Sequence, residues 1–258
     1  MSGAYAAGAK FTYIKATEGT SFKSSSFSSQ YDAATNAGLI RGAYHFARPD
    51  SSSGSAQASF FLKNGGGWSS DGRTLPGALD LESSSGVATC YGLSQSQMVS
   101  WISDFGNTYH AATGRYPTLY TGAGWWNQCV ASSAFASNYA LWVANYGVSS
   151  PKIPTGFSYW SFWQYADSGK YRKYSLHVDS ADDELRTDMI LIHCELQPVT
   201  KTTGMAPSTA SRSTLPVEHL ALSTMSLIVS SMEIPNSHNN VDYCSLERVC
   251  VFLKHLNL

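Results

Sequence analysis

Short apolar runs alternate with helix-spaced segments along residues 11–166, and this alternation predicts an α/β fold. The predicted strands are 11–17, 39–46, 75–82, 116–121, 139–146 and 159–165, and the predicted helices are 27–37, 55–62 and 94–112. This order favours a parallel sheet with right-handed crossovers. A proline-containing loop, rather than a full helix, joins the last two strands. An irregular (β/α) barrel therefore fits the pattern better than an open sheet.

The third predicted helix has the clearest periodicity in the chain. Met98, Ile102 and Phe105 recur at helical spacing between Ser94, a suitable N-cap residue, and Gly114, a suitable stop. One face of this helix is therefore expected to pack against the sheet.

The composition excludes several functional classes. The net charge is -1 with no basic block, so the sequence lacks the electrostatic signature of a nucleic-acid-binding protein. No apolar run reaches 18 residues, and so we expect no membrane-spanning helix. Aromatic residues make up 13% and charged residues 14%, which suits binding of a neutral polymer such as a glycan. An ordinary aromatic core would account for most of the same rings.

Candidate cofactor and metal motifs are missing from the sequence. There is no G-x-G-x-x-G, and none of the five cysteines has C-x-x-C spacing, so we predict neither a dinucleotide nor a metal. A Cys90–Cys129 disulfide is expected if the protein is extracellular, with two free buried thiols as the alternative. The N-terminus shows no secretory signal pattern, which by itself indicates an intracellular protein.

Two carboxylates lie at the end of the third predicted strand. Because side chains alternate along a strand, Asp80 and Glu82 should share one face, with Leu79 and Leu81 on the other. Two strand steps separate the pair by about 6.6 Å, a spacing compatible with acid–base chemistry on a glycosidic bond. A solvated acidic strand end is the alternative interpretation.

Polar and aromatic side chains recur where the predicted strands end. In α/β barrels the C-terminal strand ends carry the chemistry. The residues at or near these ends are Glu18, His45, Glu82, Tyr120, Tyr146 and Tyr165. His45 has no nucleophile partner in the pattern, so a structural role is favoured for it.

Four motifs together resemble glycoside hydrolase family 25, the Chalaropsis-type lysozymes or N-acetylmuramidases. They are the runs Tyr-Ile-Lys-Ala-Thr-Glu-Gly at 13–19, Arg-Gly-Ala-Tyr-His-Phe at 41–46, Leu-Asp-Leu-Glu at 79–82 and Phe-Trp-Gln-Tyr at 162–165. The resemblance covers roughly residues 3–169. It implies an irregular (β/α) barrel that hydrolyses the β-1,4 bond between N-acetylmuramic acid and N-acetylglucosamine in peptidoglycan.

The resemblance also implies roles for individual residues. Glu82 matches the general acid, and Asp80 matches the partner that orients the substrate's 2-acetamido group. The expected substrate-binding residues are Glu18, Tyr44 and Tyr165, which match positions lining the family's cleft, with Tyr120 and Trp142 added from their places in the pattern. The implied partner is a peptidoglycan glycan strand, bound by an extracellular monomer without a cofactor.

The chain departs from the family pattern at both ends. The family's opening strand with its Asp has no counterpart, and neither has its closing Asp motif, so we expect a truncated barrel that lacks its first strand. Residues 1–169 form the predicted barrel domain, and 170–258 a poorly ordered, unrelated tail or a small partner-binding module. Two alternatives stay open: a catalytically impaired glycan-binding remnant, and a chitinase-like hydrolase, although Gly77 and Ala78 stand where chitinases carry further acids.

Overall fold

A single nine-stranded sheet organises the protein, whose computed structural model describes residues 1–6, 8–167, 189–193 and 249–252. The strands are β1 (Ala9–Glu18), β2 (Phe22–Lys23), β3 (Ile40–Phe46), β4 (Ala78–Leu81), β5 (Thr118–Gly122), β6 (Leu141–Ala144), β7 (Phe162–Ala166), β8 (Met189–His193) and β9 (Val249–Phe252). β1, β3, β4, β5, β6 and β7 are neighbours in that order and run parallel. The predicted α/β fold with a parallel sheet is therefore confirmed.

The sheet is curled, because rings from its two ends meet on one face. Five strand spacings separate β1 from β7, about 24 Å in a flat sheet. Yet the rings of Phe11 in β1 and Phe162 in β7 are 5.4 Å apart, and Tyr13 stacks on Trp142 of β6 at 5.0 Å. A barrel-like interior filled by aromatic side chains follows from these contacts.

The outermost strands add to the edges of this parallel core. β2 and β8 both pair antiparallel with β1, β2 near its C-terminal end and β8 along its first half. β9 pairs parallel with β7. Two segments of the predicted tail, 189–193 and 249–252, therefore form strands, and the predicted domain boundary after residue 169 lies outside the described residues.

Helices cover the outer face of the sheet. They are α1 (Ser2–Ala6), α2 (Phe27–Asn36), α3 (Gly54–Phe61), α4 (Gln95–Thr113) and α5 (Ala123–Cys129), and a π-helical turn, Leu62–Gly66, follows α3. Ser94 caps α4 in a capping box with Gln97, and Gly114 ends that helix in a left-handed conformation, as the sequence predicts. No helix among the described residues combines the length and hydropathy needed to cross a bilayer.

Two apolar layers lie on opposite faces of the sheet. The larger one packs the outward strand residues, including Leu79, Leu81 and Leu119, against the helices. The smaller one is the barrel interior, formed by Phe11, Tyr13, Tyr44, Leu75, Ala78, Tyr120, Trp142 and Phe162. The alternation along β4 therefore sends Leu79 and Leu81 outward and Ala78 inward.

The acidic strand is shorter than the predicted 75–82 and begins at Ala78. Proline has no N–H to donate to a strand ladder, and the carbonyl of Pro76 accepts a hydrogen bond from the Tyr13 hydroxyl at 2.9 Å instead. The N–H of Gly77 donates to the Tyr109 hydroxyl at 2.7 Å. Two tyrosine side chains therefore hold the start of this segment, together with backbone hydrogen bonds from Leu75 to Arg41 and from Thr118 to Gly77.

Candidate active site

Asp80 and Glu82 lie together where β4 ends at the rim of the barrel interior. Leu79 and Leu81 pack outward against the helices, so the alternation of the strand turns Asp80 inward. Glu82, the next residue after the strand, lies near enough to the interior Tyr120 for its charge to raise the pKa of that phenol. Asp80 is 3% exposed, whereas Glu82 is half-buried. One carboxylate is thus enclosed by protein while the other reaches the opening, a difference that suits separate roles in acid–base chemistry.

Tyr120 stands beside both carboxylates. Its residue is in register with Asp80 across β4 and β5, and its hydroxyl lies 3.3 Å from that of Tyr146. Burial raises the pKa of Tyr120 well above its usual value, and the negative charges of Glu82 and Asp80 raise it further. The phenol therefore keeps its proton and can serve as a hydrogen-bond donor at this end of the barrel.

A bulge in β1 turns Glu18 toward the same interior. Lys15 pairs with Tyr44 and Thr17 pairs with His45, so Ala16 is an extra residue in β1. Without it, strict alternation from the inward Tyr13 would point Glu18 outward. Two strand spacings then place Glu18, through the shared register with β3, about 10 Å from Asp80.

Two cations neutralise Glu18. Lys15 Nζ lies 3.1 Å from one of its carboxylate oxygens, and Arg48 Nη1 lies 3.4 Å from the other. The Glu18 side chain is 25% exposed. It therefore stands at the barrel end as a partly exposed carboxylate in an ion-pair network.

The aromatic residues predicted to bind substrate are more deeply buried than a sugar-binding surface would be. Tyr44 is 4% exposed, Tyr120 3% and Trp142 1%, all within the interior cluster. Trp142 stacks on Tyr13 and meets Tyr120 edge-on at 4.8 Å between ring centroids. A ring with 1% exposure offers no open face to a sugar. In this structure the Trp142 ring packs against Tyr120 instead.

β7 brings Gln164 to the interior face rather than Tyr165. Phe162 belongs to the interior cluster, so alternation places Gln164 on its side, and the Gln164 amide donates to the Tyr146 hydroxyl at 3.1 Å. Tyr165 lies against Trp163, at 5.7 Å between ring centroids, and Trp163 packs on the outer face. The predicted substrate contact of Tyr165 stays a prediction, while Tyr146, 40% exposed, stands at the rim.

His45 faces the helices and belongs to a buried hydrogen-bond network. Its Nε2 donates to Gln57 Oε1 at 2.9 Å, because that oxygen also accepts from the backbone N–H of Arg48. Its Nδ1 then accepts from the Thr17 hydroxyl at 2.7 Å. Both ring nitrogens are satisfied in the neutral tautomer, and burial lowers the pKa of His45 to about 4. This placement supports the predicted structural role.

One surface depression lies outside the barrel end. It has a volume of about 510 Å³ and lies between the loop after β3 and α4, with Ser52, Trp101 and Asp104 in its wall. Neither Asp80 nor Glu82 lines it. Within the described part of the chain no cluster of three or more His, Cys, Asp or Glu side chains has the geometry of a metal site.

The predicted Cys90–Cys129 disulfide is present and ties the loop after β4 to the end of α5. Sequence reasoning missed the residue next to it: Tyr91, whose hydroxyl donates to the backbone carbonyl of Glu82 at 2.7 Å. No local pattern marks a tyrosine nine positions downstream as a neighbour of Glu82. Such a contact follows only from the path of the loop.

The comparisons with known proteins agree with one another. The family model described as "Glycosyl hydrolases family 25" matches residues 2–173. Lysozyme M1 of Streptomyces globisporus is 55% identical over 67% of this chain and 59% of its own length, and an N,O-diacetylmuramidase of Chalaropsis sp. is 50% identical over 72% of this chain and 90% of its own. A lysozyme structure from Streptomyces coelicolor superposes with a TM-score of 0.65 at 54% identity, covering 66% of this chain and 78% of that one.

Proposed function

Because the chain belongs to glycosyl hydrolases family 25, we propose that it is an N-acetylmuramidase that cleaves the β-1,4 bond between N-acetylmuramic acid and N-acetylglucosamine in peptidoglycan. Because the chain covers 59% of the length of the Streptomyces globisporus lysozyme, the activity of the whole protein is a proposal. One observation carries it: a single strand end presents an enclosed carboxylate, Asp80, and a half-exposed one, Glu82, to the same aromatic interior.

Glu82 is the proposed general acid. As the glycosidic bond breaks, its carboxyl proton moves to the leaving oxygen, and the bonding electron pair stays with that oxygen. The oxygen of the substrate's own 2-acetamido group attacks the anomeric carbon and forms an oxazolinium ring, as in substrate-assisted glycosidases. Water then opens this ring at the anomeric carbon, and its proton returns to the Glu82 carboxylate.

Asp80 is the proposed electrostatic partner in that step. Positive charge develops on the sugar and on the acetamido nitrogen, and an ionised carboxylate fixed beside it stabilises the transition state without reorganisation. The enclosed position of Asp80 strengthens the effect, because protein surroundings screen a charge less than water does. Its proposed role is to orient the acetamido group and to stabilise the ring.

The remaining predicted substrate contacts are proposals of different strength. The partly exposed Glu18 is a proposed contact for hydroxyl and amide groups of the glycan, and the exposed Tyr146 offers a ring and a hydroxyl at the rim. Tyr44, Tyr120 and Trp142 are nearly enclosed, so a sugar would reach only their edges. Tyr165 would contact substrate only where the glycan extends past the outer side of β7.

We further propose that the protein acts outside the cytosol as a monomer on peptidoglycan strands. The Cys90–Cys129 disulfide supports an oxidising compartment. The net charge of -1 is also suited to a polymer that is recognised by hydroxyl and amide groups rather than by ion pairing.

The decisive experiment replaces the proposed acid. Glu82→Gln removes the proton donor and keeps the shape, so release of reducing ends from purified peptidoglycan should fall by about 10²- to 10⁴-fold. Asp32→Asn, on the exposed side of α2, makes the same charge change away from the barrel and should keep full activity.

The outcomes separate the alternatives. Undiminished turnover by Glu82→Gln would refute the assignment of the acid. Wild-type protein that sediments with peptidoglycan yet releases no reducing ends would show a glycan-binding remnant. Cleavage of chitin chains in preference to peptidoglycan would show a chitinase-like hydrolase.

A further inference from the structure

Glu82 lies beyond the last hydrogen-bonded register of its strand. Leu81 is the final residue of β4 paired with β5, where it faces Thr121. The next residues, 83–86, read Ser-Ser-Ser-Gly, and three of these four are exposed. Neither the sheet nor a packed side chain therefore fixes the chain just after Glu82, although an acid must be held accurately to protonate a leaving group.

Tyr91 supplies a fixed contact at this point. Its hydroxyl donates to the carbonyl oxygen of Glu82 at 2.7 Å, and its ring is 6% exposed within the outer apolar layer. The hydrogen bond therefore acts on the backbone of Glu82 from the buried side and not on its carboxyl group.

The backbone of Tyr91 is held in a conformation that a tyrosine rarely adopts. Its φ angle is +57°, in the left-handed region, and Gly92 follows at +75°. A bulky residue in this region is strained and persists only when the surroundings impose it. Such strain clusters at functional sites, and here it directs the ring back toward β4.

A disulfide, a tryptophan of α5 and a local turn impose this conformation. The Cys90–Cys129 disulfide anchors the preceding residue to α5, and Trp125 Nε1 donates to the Thr89 carbonyl at 2.8 Å. The N–H of Tyr91 itself donates to the Ala88 carbonyl at 2.8 Å. Helix α5 and the disulfide thus hold the tyrosine, and the tyrosine holds Glu82.

We propose that Tyr91 is a positioning residue for the general acid, holding the backbone of Glu82 through its hydroxyl while α5 and the disulfide hold Tyr91. The inference rests on the proposed function, since it assumes that Glu82 is the acid. Tyr91 packs its ring into the outer apolar layer on the helix side of the sheet, so the proposed role acts through the backbone of Glu82. Its removal should therefore change the chemical step and leave substrate binding unaltered.

The test separates this role from general stability. Tyr91→Phe deletes only the hydroxyl, and we expect kcat on soluble peptidoglycan chains to fall about tenfold with KM within about twofold of wild type. Thr113→Val is the control, since it deletes a half-buried hydroxyl that donates to the Tyr109 carbonyl at 2.9 Å where α4 ends, away from Glu82. The control should lose comparable thermal stability and keep its kcat.

A second variant removes the strain as well as the hydroxyl. Tyr91→Gly adopts the left-handed conformation readily, so its backbone is relaxed, but kcat should fall at least as far as in Tyr91→Phe. Full kcat in either Tyr91 variant, or an equal loss of kcat in Thr113→Val, would overturn the positioning role. Glu82→Gln run in parallel keeps the two proposals apart. If it is inactive while Tyr91→Phe is fully active, only the positioning role fails, whereas an active Glu82→Gln removes the premise.

Discussion

Acid should unfold this protein in part through one histidine. His45 is fully buried, accepts a hydrogen bond from Thr17 at Nδ1 and donates one to Gln57 from Nε2. Protonation would place a positive charge on the buried ring, away from water. It would also turn Nδ1 into a donor, so the Thr17 hydroxyl would have to accept a hydrogen bond instead of donating one. Burial accordingly lowers the pKa of His45 from 6.5 to about 4.

The size of the effect follows from linkage between proton binding and folding. Below pH 6.5 the unfolded chain takes up a proton at His45, whereas the folded protein resists until about pH 4. The contribution of the neutral histidine is therefore fully present above pH 6.5 and is lost progressively as the pH falls to about 4. The difference between the two pKa values corresponds to about 3 kcal/mol of unfolding free energy, a large share of the ~5–15 kcal/mol typical of a domain.

A difference measurement isolates this histidine from every carboxylate that titrates in the same range. Urea unfolding of wild type and His45→Gln would be followed by circular dichroism from about pH 7.5 to about pH 4. The variant has nothing to protonate at this site, so the advantage of wild type over variant should shrink by about 3 kcal/mol across the range. An advantage that stays constant to within about 0.5 kcal/mol, the usual scatter between independent sites, would refute the reasoning.

Three further predictions concern stability. Cys90→Ser with Cys129→Ser opens a loop with a sequence separation of 39 residues, and the chain-entropy relation gives a loss of about 4 kcal/mol in urea unfolding; a loss below ~1 kcal/mol would contradict it. Gly54→Ala places a methyl against the backbone of α4 and should cost about 1–3 kcal/mol, while Gly67→Ala, with open space around it, should be neutral; equal effects would refute the close-packing argument. Ser94→Ala breaks the capping box of α4 and should cost about 1 kcal/mol by thermal unfolding, and an unchanged melting temperature would argue against the cap.

Much of the architecture is readable from the sequence because the relevant signals are local. The periodicity of Met98, Ile102 and Phe105 gives α4, and a serine cap and a glycine stop give its ends to within a residue. The same holds for Asp80 and Glu82, whose common face follows from a two-residue repeat. The sequence pattern places the start of β4 too early, because Leu75 continues the apolar run although Pro76 cannot donate to a strand ladder.

Other parts of the site depend on contacts that no local pattern encodes. The inward turn of Glu18 requires a bulge at Ala16, which the sequence of an unbroken strand does not reveal. The outward position of Tyr165 depends on which residues of β7 face the interior. A short apolar run does not show which of its two alternating sets of residues faces inward. Tyr91 reaches Glu82 only because the loop between them doubles back.

The meeting of Phe11 with Phe162 has a consequence for how the molecule is assembled. These rings lie roughly 150 positions apart along the chain, so the aromatic interior beside Asp80 closes only when the two ends of the parallel core, β1 and β7, meet. During synthesis, the early strands and their helices can associate first, but the pocket around the carboxylate stays hydrated until β7 has emerged. Catalytic competence should therefore appear only after β7 has joined the sheet.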